Sequence, residues 1–227
     1  MLKRKYRTIL IISIIIAIIT LQFVSAKTLP LMGVTITIDP GHGGRDSGTL
    51  YGNILEKDIN LDISKKLQNN LGKNGAIVYM TRTSDVDLSS VYDSRKKRGD
   101  LYRRLKLIKE NKSDLYLSIH INWYNNSKYK GAEVLYNSIN ENNKQLAELI
   151  MEQFQKNLNS KREIKKTNLY LYSNITTPGV LIECGYLSNS SERSKLIDEE
   201  YQEKISEAIT EGVINYLKTL NKDKFIL

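Results

Sequence analysis

The chain has 227 residues, one cysteine and a formal net charge of +9. The single cysteine excludes an internal disulfide, and the length fits one domain with a substantial core after a short leader is set aside. The positive charge favours an anionic partner.

The N-terminal segment has the layout of an export signal. Its first residues are basic, isoleucine dominates residues 9–24, and the small residues Ser25 and Ala26 follow. This pattern predicts either a signal peptide cleaved after Ala26 or an uncleaved membrane anchor formed by residues 1–26. In both cases we expect residues 27–227 to form a single domain outside the cytoplasmic membrane. For a protein in this location, the expected anionic partners are cell-wall polymers or lipid headgroups and not nucleic acid.

Strands and helices are predicted to alternate along the rest of the chain. Alternating or continuous apolar residues predict strands at residues 34–38, 76–81, 115–119, 131–136 and 180–183. Helical spacing of apolar residues predicts helices at 54–71, 101–111, 144–158 and 208–217, and Gly72 and Gly75 are expected to end the first one. The alternation predicts a three-layer α/β domain, with a central mostly parallel or mixed sheet and helices on both faces.

Reactive side chains follow three of these strands. His42 lies in the glycine-rich loop after the first strand, His120 ends the third and Glu183 ends the fifth. Residues just beyond the strand ends of an α/β sheet line its ligand crevice. Glu56 begins the first helix, where it could face the same crevice. We therefore expect these four side chains to form one site.

Two histidines and one glutamate can hold zinc and leave a position open, and a second glutamate can then take a proton from water. This is the chemistry of amide hydrolysis. Structural interpretations also exist, since a histidine beside glycines can be a turn residue and Glu56 can stabilise a helix N-terminus. Cys184 is expected to point away from Glu183 into the core.

Five ordered segments resemble the motifs of the zinc-dependent N-acetylmuramoyl-L-alanine amidases, the Amidase_3 family. They are residues 37–44, 55–61, 81–82, 114–122 and 181–189. The resemblance implies that His42, Glu56 and His120 hold one zinc ion per chain and that Glu183 is the catalytic residue that activates water. It also implies that the substrate is peptidoglycan, cleaved at the amide between N-acetylmuramic acid and the L-alanine of the stem peptide.

Asn122 and Arg82 also match recurrent positions of the family. Asn122 is expected to contact the substrate or the partners of a metal ligand. Arg82 is expected to form a structural ion pair, with substrate binding as a second role. Trp123 stands where many members have alanine, and it is either a core residue or a stacking surface for sugar or peptide.

The basic residues of the second helix are expected to form a solvated face. The alternative is contact with an anionic wall or membrane. These residues are Arg95, Lys96, Lys97, Arg98, Arg103, Arg104 and Lys106.

The minimal layout of the chain resembles amidases of spore formers that act in cortex synthesis, where they help to form muramic δ-lactam and permit germination. A role in cell division or autolysis is the alternative within the family. Two other functions remain open at this point: a catalytically silent zinc-binding or wall-binding module, and a carboxypeptidase-like metallopeptidase that acts on the stem peptide. Because members of the family are often regulated by partners, an accessory protein is also expected.

Overall fold

The computed structural model describes residues 29–168 and 175–223, together with the positions Tyr6, Leu10 and Ser13. Apart from those three positions, the predicted leader lies outside the described residues, and its role stays a prediction. Within the described part of the chain, no helix combines the length and apolar character that crossing a bilayer requires.

Strands and helices alternate as predicted, with four short elements in addition, namely three two-residue strands and one seven-residue helix. The strands are β1 Thr35–Pro40, β2 Leu50–Tyr51, β3 Ile54–Leu55, β4 Ile77–Met80, β5 Leu115–Asn122, β6 Glu133–Tyr136, β7 Lys165–Lys166 and β8 Gly179–Tyr186. The helices are α1 Glu56–Lys73, α2 Lys96–Glu110, α3 Asn142–Leu158, α4 Ser190–Leu196 and α5 Glu199–Asp223.

The central sheet has six strands in the order β4-β1-β5-β8-β6-β7. Strands β4, β1, β5 and β8 are parallel, whereas β6 runs antiparallel to β8. Strands β2 and β3 form a separate two-stranded hairpin. The mixed, mostly parallel sheet confirms the predicted fold class.

Apolar residues cover both faces of the sheet. The larger cluster includes Leu117 of β5 and Ile182 of β8, and helices α1, α3 and α5 contribute to it. The smaller cluster places Ile108 of α2 against Tyr116 and Leu181 on the opposite face. Each fully buried leucine or isoleucine contributes about 1.5–3 kcal/mol, so both layers stabilise the sheet.

The register of the sheet sets the position of the site. His120 lies beside Glu183, and Glu183 lies beside Glu133 across the next pair of strands. Because side chains alternate along a strand, these three residues share the face of the smaller cluster. Cys184 is buried in the larger cluster, which confirms the prediction that it points away from Glu183.

The first helix ends later than predicted. Gly72 lies inside α1, which continues to Lys73, so the prediction that Gly72 ends the helix is wrong. Gly75 has the expected role, because it adopts a φ of +100° and donates its N–H to the carbonyl of Gly72 at 2.9 Å. A left-handed residue just after the last turn is a common helix end.

Helix α5 packs directly against α3 at Gly212. A Cβ added at Gly212 would lie 2.7 Å from both Cα and Cγ1 of Ile150. We expect Gly212→Ala to lower the free energy of unfolding by about 1–3 kcal/mol, because the two helices must separate. Gly72→Ala is the matched control, since a Cβ there meets no atom within 4 Å, and it should stabilise the protein by about 0.5–1 kcal/mol. Urea titration measures both changes, and a Gly212→Ala protein as stable as the parent would contradict the close packing.

Candidate metal centre and active site

The loop after β1 brings His42 to the carboxyl edge of the sheet. His42 has a φ of +62°, a left-handed conformation that residues other than glycine seldom adopt. Such conformations persist where the surrounding structure holds them, and they occur often at functional sites. The loop backbone is therefore bent so that the imidazole turns into the crevice.

Two glycines let the backbone pass close to the candidate ligands. A Cβ at Gly41 would lie 2.3 Å from Cε1 of His120. A Cβ at Gly48 would lie 2.6 Å from Oε2 of Glu56, and Gly48 also has a φ of +64°. A larger residue at either position would displace His120 or Glu56.

The structure brings three of the four predicted site residues into one cluster. His42, Glu56 and His120 each offer a ligand atom, and these atoms lie within 4.8 Å of one another. Oε1 of Glu56 is 3.2 Å from Nε2 of His42 and 3.1 Å from Nδ1 of His120. Ligand atoms about 2.1 Å from one tetrahedral ion lie roughly 3.4 Å apart, so the distances and the donor types fit a zinc ion.

Glu56 is held in place by backbone N–H groups. Its Oε2 accepts a hydrogen bond from the N–H of Thr49 at 2.8 Å, and its Oε1 accepts one from the N–H of Ile121 at 3.1 Å. Burial alone would raise the pKa of Glu56, but hydrogen bonds from His120 and His42 outweigh it and hold the pKa well below the ordinary range. The carboxylate is therefore ionised, as a metal ligand must be.

Asp46 lies close to the imidazole of His42. Its Oδ2 lies 3.0 Å from Nδ1 of His42, on the opposite side of the ring from the nitrogen that faces Glu56. Burial alone would lower the pKa of His42, but Asp46 and Glu56 outweigh it and raise the pKa to about 9. A carboxylate on the second ring nitrogen is the usual support of a metal-ligating histidine, and metal binding would release the proton from the first.

Glu183, the fourth predicted site residue, lines the same cavity. Burial, reinforced by the charges of Glu56 and Glu133, raises its pKa to about 8. Its Oε2 is buried and has no hydrogen-bond partner among the described residues. A buried carboxylate oxygen without a partner is costly, and such an atom is explained by a bound group or a catalytic role.

The cavity itself has a volume of about 420 Å³ and is open to solvent. Trp123 is 40% exposed and forms part of the wall, so the interpretation of Trp123 as a core residue is wrong. The lining residues are His42, Asp46, Gly48, Thr49, Glu56, Lys97, His120, Ile121, Asn122, Trp123 and Glu183.

Asn122 is fixed by a buried carboxylate beside the cavity. Its Nδ2 donates to Oε1 of Glu133 at 2.8 Å, and the hydroxyl of Tyr186 donates to the same oxygen at 2.7 Å. Arg162 contacts the hydroxyl of Tyr186 in turn. The amide of Asn122 is thus held in one orientation at the wall of the cavity.

Arg82 has a different environment from the predicted ion pair. Its buried guanidinium donates to the carbonyl oxygens of Pro40 and Gly41 at 2.9 Å each. It also donates to the carbonyls of Lys57 at 2.7 Å and Ser84 at 3.1 Å. With these hydrogen bonds, Arg82 connects the His42 loop to the start of α1 instead of facing the cavity.

Arg104 also holds the His42 loop and is not part of a solvated helix face as predicted. It is 1% exposed. Its guanidinium donates to Oδ1 of Asp39 at 2.8 Å, to the carbonyl of Pro40 at 2.6 Å and to the carbonyl of His42. Asp100 accepts a further hydrogen bond from Nε at 2.7 Å. The basic run in the sequence does not reveal this role, because spacing alone does not separate buried from solvated arginines.

Two imidazoles and a carboxylate at the edge of an α/β sheet, beside a second glutamate, are typical of metal-dependent hydrolases. The chain belongs to the N-acetylmuramoyl-L-alanine amidase family Amidase_3, whose profile matches residues 36–215. It is therefore an enzyme of the N-acetylmuramoyl-L-alanine amidase class. This result confirms the resemblance inferred from the five sequence segments.

Several relatives are similar over most of the chain. A germination-specific N-acetylmuramoyl-L-alanine amidase of Bacillus subtilis is 41% identical over 83% of this chain and 82% of its own length. The amidase LytC of the same organism is 34% identical over 83% of this chain but only 36% of its own length. Among solved structures, the CwlD amidase of Clostridioides difficile, in complex with the GerS lipoprotein, is 37% identical with a TM-score of 0.79, covering 82% of this chain and 100% of that one.

Removal of the Arg104 guanidinium should destabilise the protein in a pH-dependent way. Arg104→Gln leaves Asp39 and Asp100 without their buried cation, and we expect a loss of about 3–5 kcal/mol of unfolding free energy near pH 7. Burial alone would raise the pKa of Asp39, but Arg104 and Thr81 lower it below its ordinary value of 3.8. In the parent, the ionised Asp39 therefore stabilises the fold above that pH and loses this effect as the pH falls further.

In the variant, burial without Arg104 raises the pKa of Asp39, so the loss of stability should shrink as the pH is lowered from about 7 to about 4.5. Urea titrations at both pH values measure the difference. Arg103→Gln is the control, because Arg103 pairs at the surface with Asp93 and its removal should change little. A loss for Arg104→Gln that is the same at both pH values would contradict this account.

Proposed function

We propose that the chain is a zinc-dependent amidase that hydrolyses peptidoglycan between N-acetylmuramic acid and the L-alanine of the stem peptide. The observation that carries the proposal is the cluster of His42, Glu56 and His120 next to the unpartnered Oε2 of Glu183. The family is generally zinc-dependent, and its description names the same bond. Zinc is proposed because imidazole and carboxylate are ligands that it commonly takes.

Zinc, when bound by His42, Glu56 and His120, supplies a Lewis acid that polarises a carbonyl oxygen and lowers the pKa of water. A positive charge at this position also favours the ionised form of Glu183, whose pKa is raised to about 8 in its absence. Glu183 is then able to act as a base near neutral pH.

The proposed role of Glu183 is to carry one proton through the reaction. Its carboxylate takes a proton from the water that attacks the amide carbon. When the carbon–nitrogen bond breaks, Glu183 gives this proton to the departing amine of L-alanine. The products are a free lactyl carboxylate on the sugar and a free stem peptide.

Two residues at the wall of the cavity are proposed to position the substrate. Asn122, fixed by Glu133, offers a polar side chain of defined orientation. Trp123 offers a half-exposed ring on which a sugar or peptide group can stack. Arg82 is proposed to act only by holding the loop that carries His42.

We propose that the enzyme acts outside the cytoplasmic membrane, exported by the segment 1–26. Its similarity to a germination-specific amidase supports a role in the spore cortex. The complex of the C. difficile CwlD amidase with the GerS lipoprotein supports the proposal of an accessory partner for this chain. Similarity to LytC, and to a probable cell wall amidase LytH of Staphylococcus aureus, supports a general cell-wall role as the second candidate.

The proposed reaction is tested by metal content and product mass. The domain from Lys27 onward is purified, its zinc is counted by mass spectrometry, and peptidoglycan fragments are analysed after incubation. We expect one zinc per chain and free stem peptides that begin with L-alanine. Peptides shortened from their other end would instead identify a carboxypeptidase, and zinc without any product on either vegetative or cortex peptidoglycan would identify a silent binding module.

Substitution of the proposed base separates catalysis from metal binding. Glu183→Gln should keep zinc and lose turnover by about 10²–10⁴-fold or more, because the amide keeps the shape of the side chain but cannot accept a proton. His120→Ala should lose both zinc and activity. Zinc content and initial rates are measured on the same preparations, and normal turnover by Glu183→Gln would rule out the proposed mechanism.

A further inference from the structure

A second cavity opens beside the active-site cavity. It has a volume of about 310 Å³ and shares Asp46 and Lys97 with the active-site cavity, so the two cavities are adjacent. A substrate bound at the metal centre therefore lies beside the second cavity. Charged side chains line this second cavity, namely Arg45, Asp46, Asp87, Lys96, Lys97 and Asp100.

Two of the three carboxylates that line the second cavity are paired with arginines of the protein. Asp87 lies 3.1 Å from Arg45, and Asp100 lies 2.7 Å from Arg104. Because these two negative charges have close positive partners, an anionic ligand meets less repulsion than three unpaired carboxylates would cause. The third carboxylate, Asp46, lies 3.0 Å from Nδ1 of His42 and 3.6 Å from Nζ of Lys97.

Among the described cations that line this cavity, Lys97 is the one whose ammonium group donates no hydrogen bond to a described residue. Its side chain is 73% exposed, and its Nζ lies 3.6 Å from Oδ2 of Asp46, which is longer than a hydrogen bond. Lys96, in contrast, donates to the carbonyl oxygens of Ser90 at 2.7 Å and Val91 at 2.8 Å. The ammonium group of Lys97 thus lies where the two cavities meet, and its N–H donors can bind a ligand.

We propose that Lys97 binds a free carboxylate of the stem peptide and so determines which stem peptides the enzyme prefers. The inference rests on the proposed function, because it takes the stem peptide as part of the substrate. Stem peptides carry carboxylates beyond the scissile amide, and an ammonium group binds such a group through a charge-assisted hydrogen bond. A stem peptide in which that carboxylate is a primary amide lacks the negative charge and gains nothing from Lys97.

The test uses two synthetic muramoyl peptides that differ only in one stem carboxylate, which is a primary amide in the second peptide. Binding to zinc-loaded Glu183→Gln protein is measured by calorimetry. Fluorescence is a second readout, because Trp123 is the single tryptophan of the chain and lines the cavity. We expect the carboxylate peptide to bind about three- to tenfold more tightly than the amide, a range set by the exposure of Lys97.

Lys97→Met, made in the Glu183→Gln protein, should abolish this preference because only the carboxylate peptide then binds more weakly. Lys97→Arg should keep most of the preference. Lys106→Met is the matched control, since Lys106 lies on the same helix and lines neither cavity. Zinc content is measured for every variant, because Asp46 contacts both Lys97 and His42. If Lys97→Met weakened the binding of both peptides equally, or changed the binding of neither, the proposed subsite would be wrong.

Turnover by the enzyme with intact Glu183 distinguishes the failure of this inference from the failure of the proposed function. If the carboxylate peptide binds more tightly but neither peptide is released from the sugar, the proposed amidase function is wrong and the subsite is supported. If both peptides are released with the same KM, and Lys97→Met changes neither KM, the proposed subsite is wrong and the amidase function is supported.

Discussion

The contact between the Glu56 carboxylate and two imidazoles is the interaction on which the site depends. Glu56 begins α1, His120 lies near the end of β5, and His42 follows β1. This contact therefore requires the start of α1 and the carboxyl ends of β1 and β5 to meet at one edge of the sheet. A buried carboxylate needs partners, because an isolated charge in the interior costs several kcal/mol. Protons on the imidazoles or a metal ion can meet this need, which links the fold directly to the chemistry of the site.

Beneath this contact, a buried ionic network holds the loop that carries His42. The guanidinium groups of Arg82 and Arg104 donate hydrogen bonds to the carbonyl oxygens of three successive residues, Pro40, Gly41 and His42. Asp39 neutralises Arg104 from the end of β1. The left-handed backbone of His42 is therefore maintained by the protein itself, and the imidazole is positioned before any ligand arrives.

The sequence predicts the main strands and helices because their apolar periodicity is long. It predicts that His42, His120 and Glu183 converge because the apolar pattern places them at the ends of strands, whereas the structure has His120 and Glu183 inside β5 and β8, near their carboxyl ends. The separate roles of Glu56 as a ligand and Glu183 as a base are implied by the family resemblance. The hairpin of β2 and β3 is missed because two-residue strands have no periodicity. Helix α4 does have a local signal, since Asn189 caps the N–H of Glu192. The roles of Arg104, Asp46 and Glu133 depend on contacts between distant elements, which spacing along the chain does not reveal.

Anomalous diffraction at the zinc absorption edge, from crystals of the zinc-loaded protein, shows which residues hold the metal ion. We expect one anomalous peak at about 2.0–2.2 Å from Nε2 of His42, Nδ1 of His120 and the carboxylate of Glu56. Oε2 of Glu183 should face the open side of this peak without being a ligand. A stoichiometric zinc peak at other residues, or a bond from zinc to Glu183 in place of Glu56, would show that His42, Glu56 and His120 are not the zinc site.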